Sequence, residues 1–303
     1  MSAAGSAGGA RGVPVLLMAV VLAWGINIPA VKALTGVMDV AWVGAVRLAA
    51  AAFVLTGCLL LRDGRLPRLA GRDWARLGTI AFLSIYVNQL LFVRGMRLSA
   101  ATTASLVMAL NPLLAVLAGA LVFRERIGLR RALGVAVGFA GVALVVLLAP
   151  RASVAMPGLG ELALLGGLVV FIGGGLLIQR VVRNLDALVV GWAVYLAGAL
   201  MLGAHAMAAG GWQRTAAAFR LDWVWWCALY SGVLGTALSN VGWYHAIARV
   251  GQSRASPYLY WIAVFGLLSS ALALSEPLGA WHVAGLALVV AGVRMGTTPG
   301  RPA

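Results

Sequence analysis

Apolar residues in this chain come in long unbroken blocks, separated by short gaps in which most of the charges gather. A helix needs about 20 mostly apolar residues to cross the hydrocarbon layer of a bilayer, and the blocks have that length. They predict helices over Pro14–Leu34, Val40–Leu61, Trp74–Val93, Ala100–Phe123 and Ala132–Ala149 in the first half. In the second half they predict Leu159–Ile178, Ala187–Ala209, Trp223–Ile247, Ala255–Leu274 and Ala280–Val293. The expected fold is therefore all-α and integral to a membrane, with ten transmembrane helices.

Composition removes the soluble alternative. Of the 303 residues, 62% are hydrophobic and only 10% charged, whereas soluble domains carry roughly a quarter charged residues. A core of this size has no room to hide so much apolar side chain from water. The formal charge of +15 raises nucleic acid as a partner, but that requires basic clusters on a polar domain. The chain has no such domain, so the partner expected is the lipid bilayer. Residues 1–13 resemble the start of a signal peptide, but the apolar run after them extends to Leu34 and contains Trp24 and Asn27, which favours an uncleaved first helix. Cys58 and Cys227 each lie alone in an apolar run and are expected to be small packing residues.

The gaps test the threading. With the amino terminus inside, the inner gaps hold sixteen basic residues and the outer gaps five, while Lys32 and Arg47 fall within helices. That asymmetry follows the positive-inside rule and places both termini in the cytoplasm. A missed helix would scramble it.

The second half also repeats the first. At an offset of 151, residues 104–142 and 255–293 share twelve identities in 39 positions, among them Glu125/Glu276, Gly128/Gly279, Gly134/Gly285 and Gly141/Gly292. Upstream, an offset of 148 aligns Ala45-Val46-Arg47-Leu48-Ala49 with Ala193-Val194-Tyr195-Leu196-Ala197. Five helices per unit is an odd number, so consecutive units enter the membrane in opposite senses. The organisation expected is a cytoplasmic tail (1–13), a first repeat (14–149), a linker (150–158), a second repeat (159–295) and a second tail (296–303). Inverted repeats recur in transporters that hold substrate near mid-depth between the halves.

Trp24-Gly25 with Lys32 in the first helix, Arg47 in the second, Asn111-Pro112 in the fourth, then Glu125 and Gly134 to Gly141-Val142 form an ordered series. The second copy repeats it in part as Glu276, Gly285 and Gly292-Val293. In this series the chain resembles the EamA family of the drug/metabolite transporter superfamily, over roughly residues 14–295. The resemblance implies two five-helix repeats, an inner-membrane location and the export or uptake of small metabolites, without fixing the substrate. Ala263 and Ile172 depart from it, standing where a proline like Pro112 and a tryptophan like Trp24 are expected.

Candidate substrate-binding residues follow from polarity at depth. Arg47 lies about 10 Å into its helix by helical rise, and no carboxylate lies deep in any other helix. A guanidinium there is costly and faces either a partner or a wet cavity. It meets an anionic group of the substrate, or it clamps backbone carbonyls. Lys32, nearer the end of its helix, is expected to snorkel or to reach Asp39. Pro29 and Pro112 break backbone bonds and are candidate hinges, with Asn27 and Asn111 beside them. Gln89 and Asn240 offer an amide at one repeat position, with Tyr86 and Trp243 one helical turn away. These residues line a shared pocket, or else pair between neighbouring helices without substrate. Trp24, Tyr258 and Trp261 add candidate aromatic walls, whereas Trp223, Trp225 and Trp226 fit an interfacial belt. His205 and His245 are expected to be satisfied helix histidines. Gly134-x-x-x-Gly138 and Gly173-Gly174-Gly175 lack the Lys-Ser/Thr of a phosphate loop and fit close helix packing.

The leading expectation is a secondary transporter, exporting small organic metabolites such as amino acids by alternating access, with no cofactor. A membrane-embedded enzyme would need a clustered acid, nucleophile or metal site, and the sequence shows no paired carboxylates or His-Glu-x-x-His. A receptor or scaffold without transport stays open at this level.

Overall fold

The computed structural model describes residues 6–111, 113–114, 117–118, 129–148, 158–181, 185–250 and 255–297, and all regular structure among them is helical. The helices are α1 (Ser6–Val37), α2 (Val40–Asp63), α3 (Gly71–Leu98), α4 (Ala101–Met108), α5 (Leu129–Leu148) and α6 (Leu159–Val181). After them come α7 (Ala187–Ala209), α8 (residues 222–250), α9 (Tyr260–Leu274) and α10 (Ala280–Thr297). Among the described residues, five helices are long and apolar enough to cross a membrane, and shorter apolar helices lie within α5, α9 and α10. The surface suits lipid, with Phe53, Leu61, Leu200 and Leu272 turned outward. Trp223, Trp225 and Trp226 are also exposed, in keeping with an interfacial belt. Pro112, Glu125 and the linker lie outside the described residues, apart from Gly158.

Three features go beyond the sequence expectation. A short helix, Trp212–Ala218, occupies the α7–α8 connection. A single 3₁₀ turn, Ser256–Leu259, precedes α9. The third is a π-helical turn at Phe82–Val87 within α3 and another at Val233–Leu238 within α8. The two π turns stand at the repeat offset from each other, so the second half copies a backbone irregularity as well as residues. Insertions of this kind are uncommon and often mark functional positions.

Local chemistry explains the helix ends. Asp39 and Asp186 precede α2 and α7 and cap them, Asp39 accepting from the Ala41 N–H at 3.0 Å and Asp186 from the Leu188 N–H at 3.0 Å. Gly64 closes α2 in the left-handed conformation, which glycine adopts without a Cβ penalty. Pro29 lies inside α1 and removes one backbone donor. The Gly25 carbonyl that it leaves free accepts from Ser269 Oγ on α9 at 3.3 Å, so the break becomes an interhelical contact.

Glycines set how closely the helices approach. Gly141 and Gly292 lie against the backbones of α10 and α5 respectively, Gly141 at Gly285 and Gly292 at Gly134 and Gly138, which makes the two helices antiparallel. Gly44, Gly191 and Gly198 let α2 and α7 run antiparallel in the same way, against Leu202, Leu55 and Leu48. The turns expected on one face touch one another. Arg214 donates to the Gly36 carbonyl at 2.8 Å, and Trp42 Nε1 donates to the Gly210 carbonyl at 2.9 Å. At the opposite end Arg62 meets Asp186 at 3.1 Å.

Candidate functional site

Helices from both halves leave a cavity of about 130 Å³ between them. Repeat-equivalent residues occur together in its lining. Arg47 and Tyr195 are one such pair, followed by Ile85 and Thr236, Gln89 and Asn240, and Asn111 and Ile262, and all eight line the cavity. Trp24, Ile85, Asn111 and Phe171 also border an adjoining space of about 90 Å³, which continues past Trp243 and Ile247.

The polar end of the cavity is built around Arg47, which is 2% exposed. Its Nε donates to Ser231 Oγ, its Nη1 to Gln89 Oε1 at 2.9 Å and its Nη2 to Thr236 Oγ1 at 3.2 Å. Ser231 in turn donates to Asn27 Oδ1. Side chains in and just after the π turn of α8 bond back to its backbone carbonyls. Thr236 Oγ1 donates to the Ser231 carbonyl at 2.7 Å and Asn240 Nδ2 to the Thr236 carbonyl at 2.8 Å. On α3, Asn88 Nδ2 donates to the Gly167 carbonyl of α6 at 2.9 Å. The other walls are apolar and aromatic, with Phe92 beneath the guanidinium at 6.0 Å and the Trp24 ring 5.6 Å from Trp243. Concave, mostly apolar spaces with a few convergent polar groups suit small organic molecules.

Six of the ten residues expected to bind substrate line this cavity: Trp24, Asn27, Arg47, Gln89, Asn111 and Asn240. Trp243 lines the adjoining space. Tyr86, Tyr258 and Trp261 line neither. Tyr86 shows why. A π turn inserts one residue per turn, so the side chain one turn before Gln89 on the cavity face is Ile85. Tyr86 is rotated away, and its hydroxyl meets His205 Nδ1 at 2.7 Å. Trp261 is 45% exposed and stacks on Phe265. Of the two hinge candidates, Pro29 is buried within α1, and Pro112 is not among the described residues.

Lys32 does not reach Asp39. Its ammonium donates to the Ser99 carbonyl at 2.5 Å, and Ser99 Oγ donates to Glu161 at 2.6 Å. The choice follows from the helix ends, since the last carbonyls of α3 attract a cation and Asp39 is already engaged at the start of α2. Among cavity residues that the sequence did not single out, Tyr195 was within reach, because the repeat aligns it with Arg47. Thr236 and Asn88 carry no such signal, and neither does Ser231, which holds Arg47 without lining the cavity.

A family model described as the EamA-like transporter family matches residues 12–147 and again 158–297. No curated protein matches the chain. One solved crystal structure, described only as that of a protein, is similar with a TM-score of 0.69 and 19% identity, covering 94% of this chain and 97% of that one. At that identity the likeness speaks for the fold alone. Two matches of one family, end to end, leave almost none of the sequence outside them: the chain belongs to the EamA-like transporter family.

Proposed function

We propose that this protein is a secondary transporter that carries small organic metabolites, such as amino acids, out of the cell across the inner membrane. In this reading ten transmembrane helices form two inverted five-helix repeats with both termini cytoplasmic. The observation that carries it is the cavity between the halves, lined by four pairs of repeat-equivalent residues. A binding site on a pseudo-two-fold axis can be exposed to either face by rocking one repeat against the other, which is the geometry alternating access uses. The antiparallel pairing of α5 with α10 and of α2 with α7 supports the inverted arrangement. The cavity also favours a carrier over a receptor or scaffold, which has no need of a polar chamber at mid-depth.

Purified protein in sealed vesicles, preloaded with one unlabelled amino acid, nucleoside or sugar at a time, provides the test. For at least one class, labelled solute of the same kind is expected to accumulate transiently by counterflow in protein-containing vesicles only. Absence of counterflow across all three classes counts against the carrier. A second prediction concerns topology. Single cysteines placed at Gly128 and at Gly279, in a background with Cys58 and Cys227 replaced by alanine, are expected to react with an impermeant thiol reagent from opposite sides of the membrane. Labelling from the same side removes the inverted repeat.

A further inference from the structure

Among the described residues lining the cavity, Arg47 carries the one formal charge and there is no carboxylate. Its three hydrogen-bond acceptors are all neutral. A guanidinium offers five N–H donors, so two of them, the second hydrogen on each of Nη1 and Nη2, have no partner among the described residues. A buried cation whose charge is solvated only by neutral dipoles is an unbalanced arrangement, and in a site of low dielectric the imbalance is felt strongly. A second unbalanced atom lies close by. Asn240 Oδ1 is buried without a hydrogen-bond partner among the described residues, and Asn240 is joined to Arg47 through Thr236, which accepts from both.

We propose that the cavity selects small organic monocarboxylates carrying a hydroxyl beside the carboxylate. The two free Arg47 N–H groups grip the carboxylate, and Asn240 Oδ1 accepts from the adjacent hydroxyl. This rests on the transport reading above and narrows it to a chemical class. Charge balance sets the class. A monoanion neutralises the lone cation, a phosphate monoester leaves an excess negative charge, and a cation adds a second positive one. Planar N–H pairs of arginine also match a carboxylate in geometry, which a lysine would not. The apolar and aromatic walls then accommodate the body of the molecule.

The test uses purified full-length protein in nanodiscs of phosphatidylcholine alone, so that no anionic lipid competes. Phenylacetate, phenylacetamide and phenethylamine share one ring and differ in head group, and mandelate adds a hydroxyl beside the carboxylate. By calorimetric titration, phenylacetate is expected to bind at least tenfold more tightly than phenylacetamide, and phenethylamine not to bind. Mandelate is expected to exceed phenylacetate, an advantage that Asn240→Leu removes. Arg47→Gln is expected to erase the preference for carboxylate over amide. Equal or tighter binding of the amide or amine, no binding of any probe, or an unchanged preference in Arg47→Gln each overturn the proposal. If that variant fails to fold, the order of the three head groups on the unaltered protein decides alone. Counterflow separates the two readings: a carrier that moves uncharged solutes keeps the transport reading and loses this one, and a tight carboxylate binder that moves nothing does the reverse.

Discussion

Replacing Gly292 by leucine is expected to leave no folded protein, and replacing it by alanine to lower the melting temperature by several degrees. A β-carbon on Gly292 would stand 2.5 Å from the Gly134 carbonyl oxygen and 2.8 Å from the Gly138 Cα, well inside van der Waals contact. Every atom it meets belongs to backbone, so no flexible side chain can move aside. The helices α5 and α10 must then separate along their shared length, and the neighbouring approach of Gly141 to the Gly285 carbonyl loosens with them. Overpacking of a close interface costs about 1–3 kcal/mol and occasionally more. In lipid this interface has little else to hold it, because apolar side chains gain nothing from leaving hydrocarbon for protein and association rests on packing. Gly173 is the internal control. It has nothing within 4 Å of where a β-carbon would stand, so Gly173→Ala is expected to be neutral or slightly stabilising. The comparison needs only thermal unfolding of the detergent-solubilised variants followed by size-exclusion chromatography. Equal melting temperatures for Gly292→Ala and Gly173→Ala would mean that α5 and α10 are further apart than the glycines suggest.

These same glycines show how far the sequence could be read. The spacing Gly134-x-x-x-Gly138 pointed to close packing, and Gly292 lies against both; Gly173-Gly174-Gly175 pointed the same way, but only Gly174 is close-packed, against Ser84, while Gly173 and Gly175 have nothing within 4 Å. Arg47 was legible from depth alone, because a charge so far into an apolar run always requires an account. Gln89 and Asn240 were legible because an amide recurred at one repeat position. Tyr86 went astray for a physical reason: ordinary helical spacing assumes 3.6 residues per turn throughout, and a π turn breaks that register without a signature in residue type. Ser231 and Thr236, which hold two of the Arg47 donors, were silent for another reason. Small hydroxyl residues are common in apolar helices, where they bond to their own backbone. Only the fold shows which of them turn toward a charge. Lys32 was misplaced because sequence shows which acidic residue is near along the chain, and the carbonyl that accepts its hydrogen bond is 67 residues away.

Removing the Glu276 side chain is expected to open one face of the protein without unfolding it. The residue ahead of α4 is Ala100, which has no side-chain oxygen to cap the helix. The cap comes instead from Glu276, between α9 and α10, whose carboxylate accepts from the Ala101 N–H at 2.9 Å and the Thr102 N–H at 2.8 Å. Lys32 holds the preceding turn from α1, and Glu161 holds it from α6 through Ser99. Residues 98–102 are thus tied to both family-matched segments at once. Two charge-assisted bonds at a helix start are together worth about 1–2 kcal/mol. In an equilibrium between two facing states, that difference shifts the populations roughly five- to thirtyfold. The measurement is the reaction rate of a cysteine at Ala104, which is fully buried one turn below the tie, in the background lacking Cys58 and Cys227. Impermeant reagent applied from the α4 start is expected to label Glu276→Ala roughly tenfold faster than the parent, with Glu276→Gln between them because it keeps one acceptor oxygen. Unchanged labelling together with a lowered melting temperature would reduce Glu276 to a helix cap. Faster labelling at an unchanged melting temperature would mark the tie as a bond that forms and breaks as the carrier turns over.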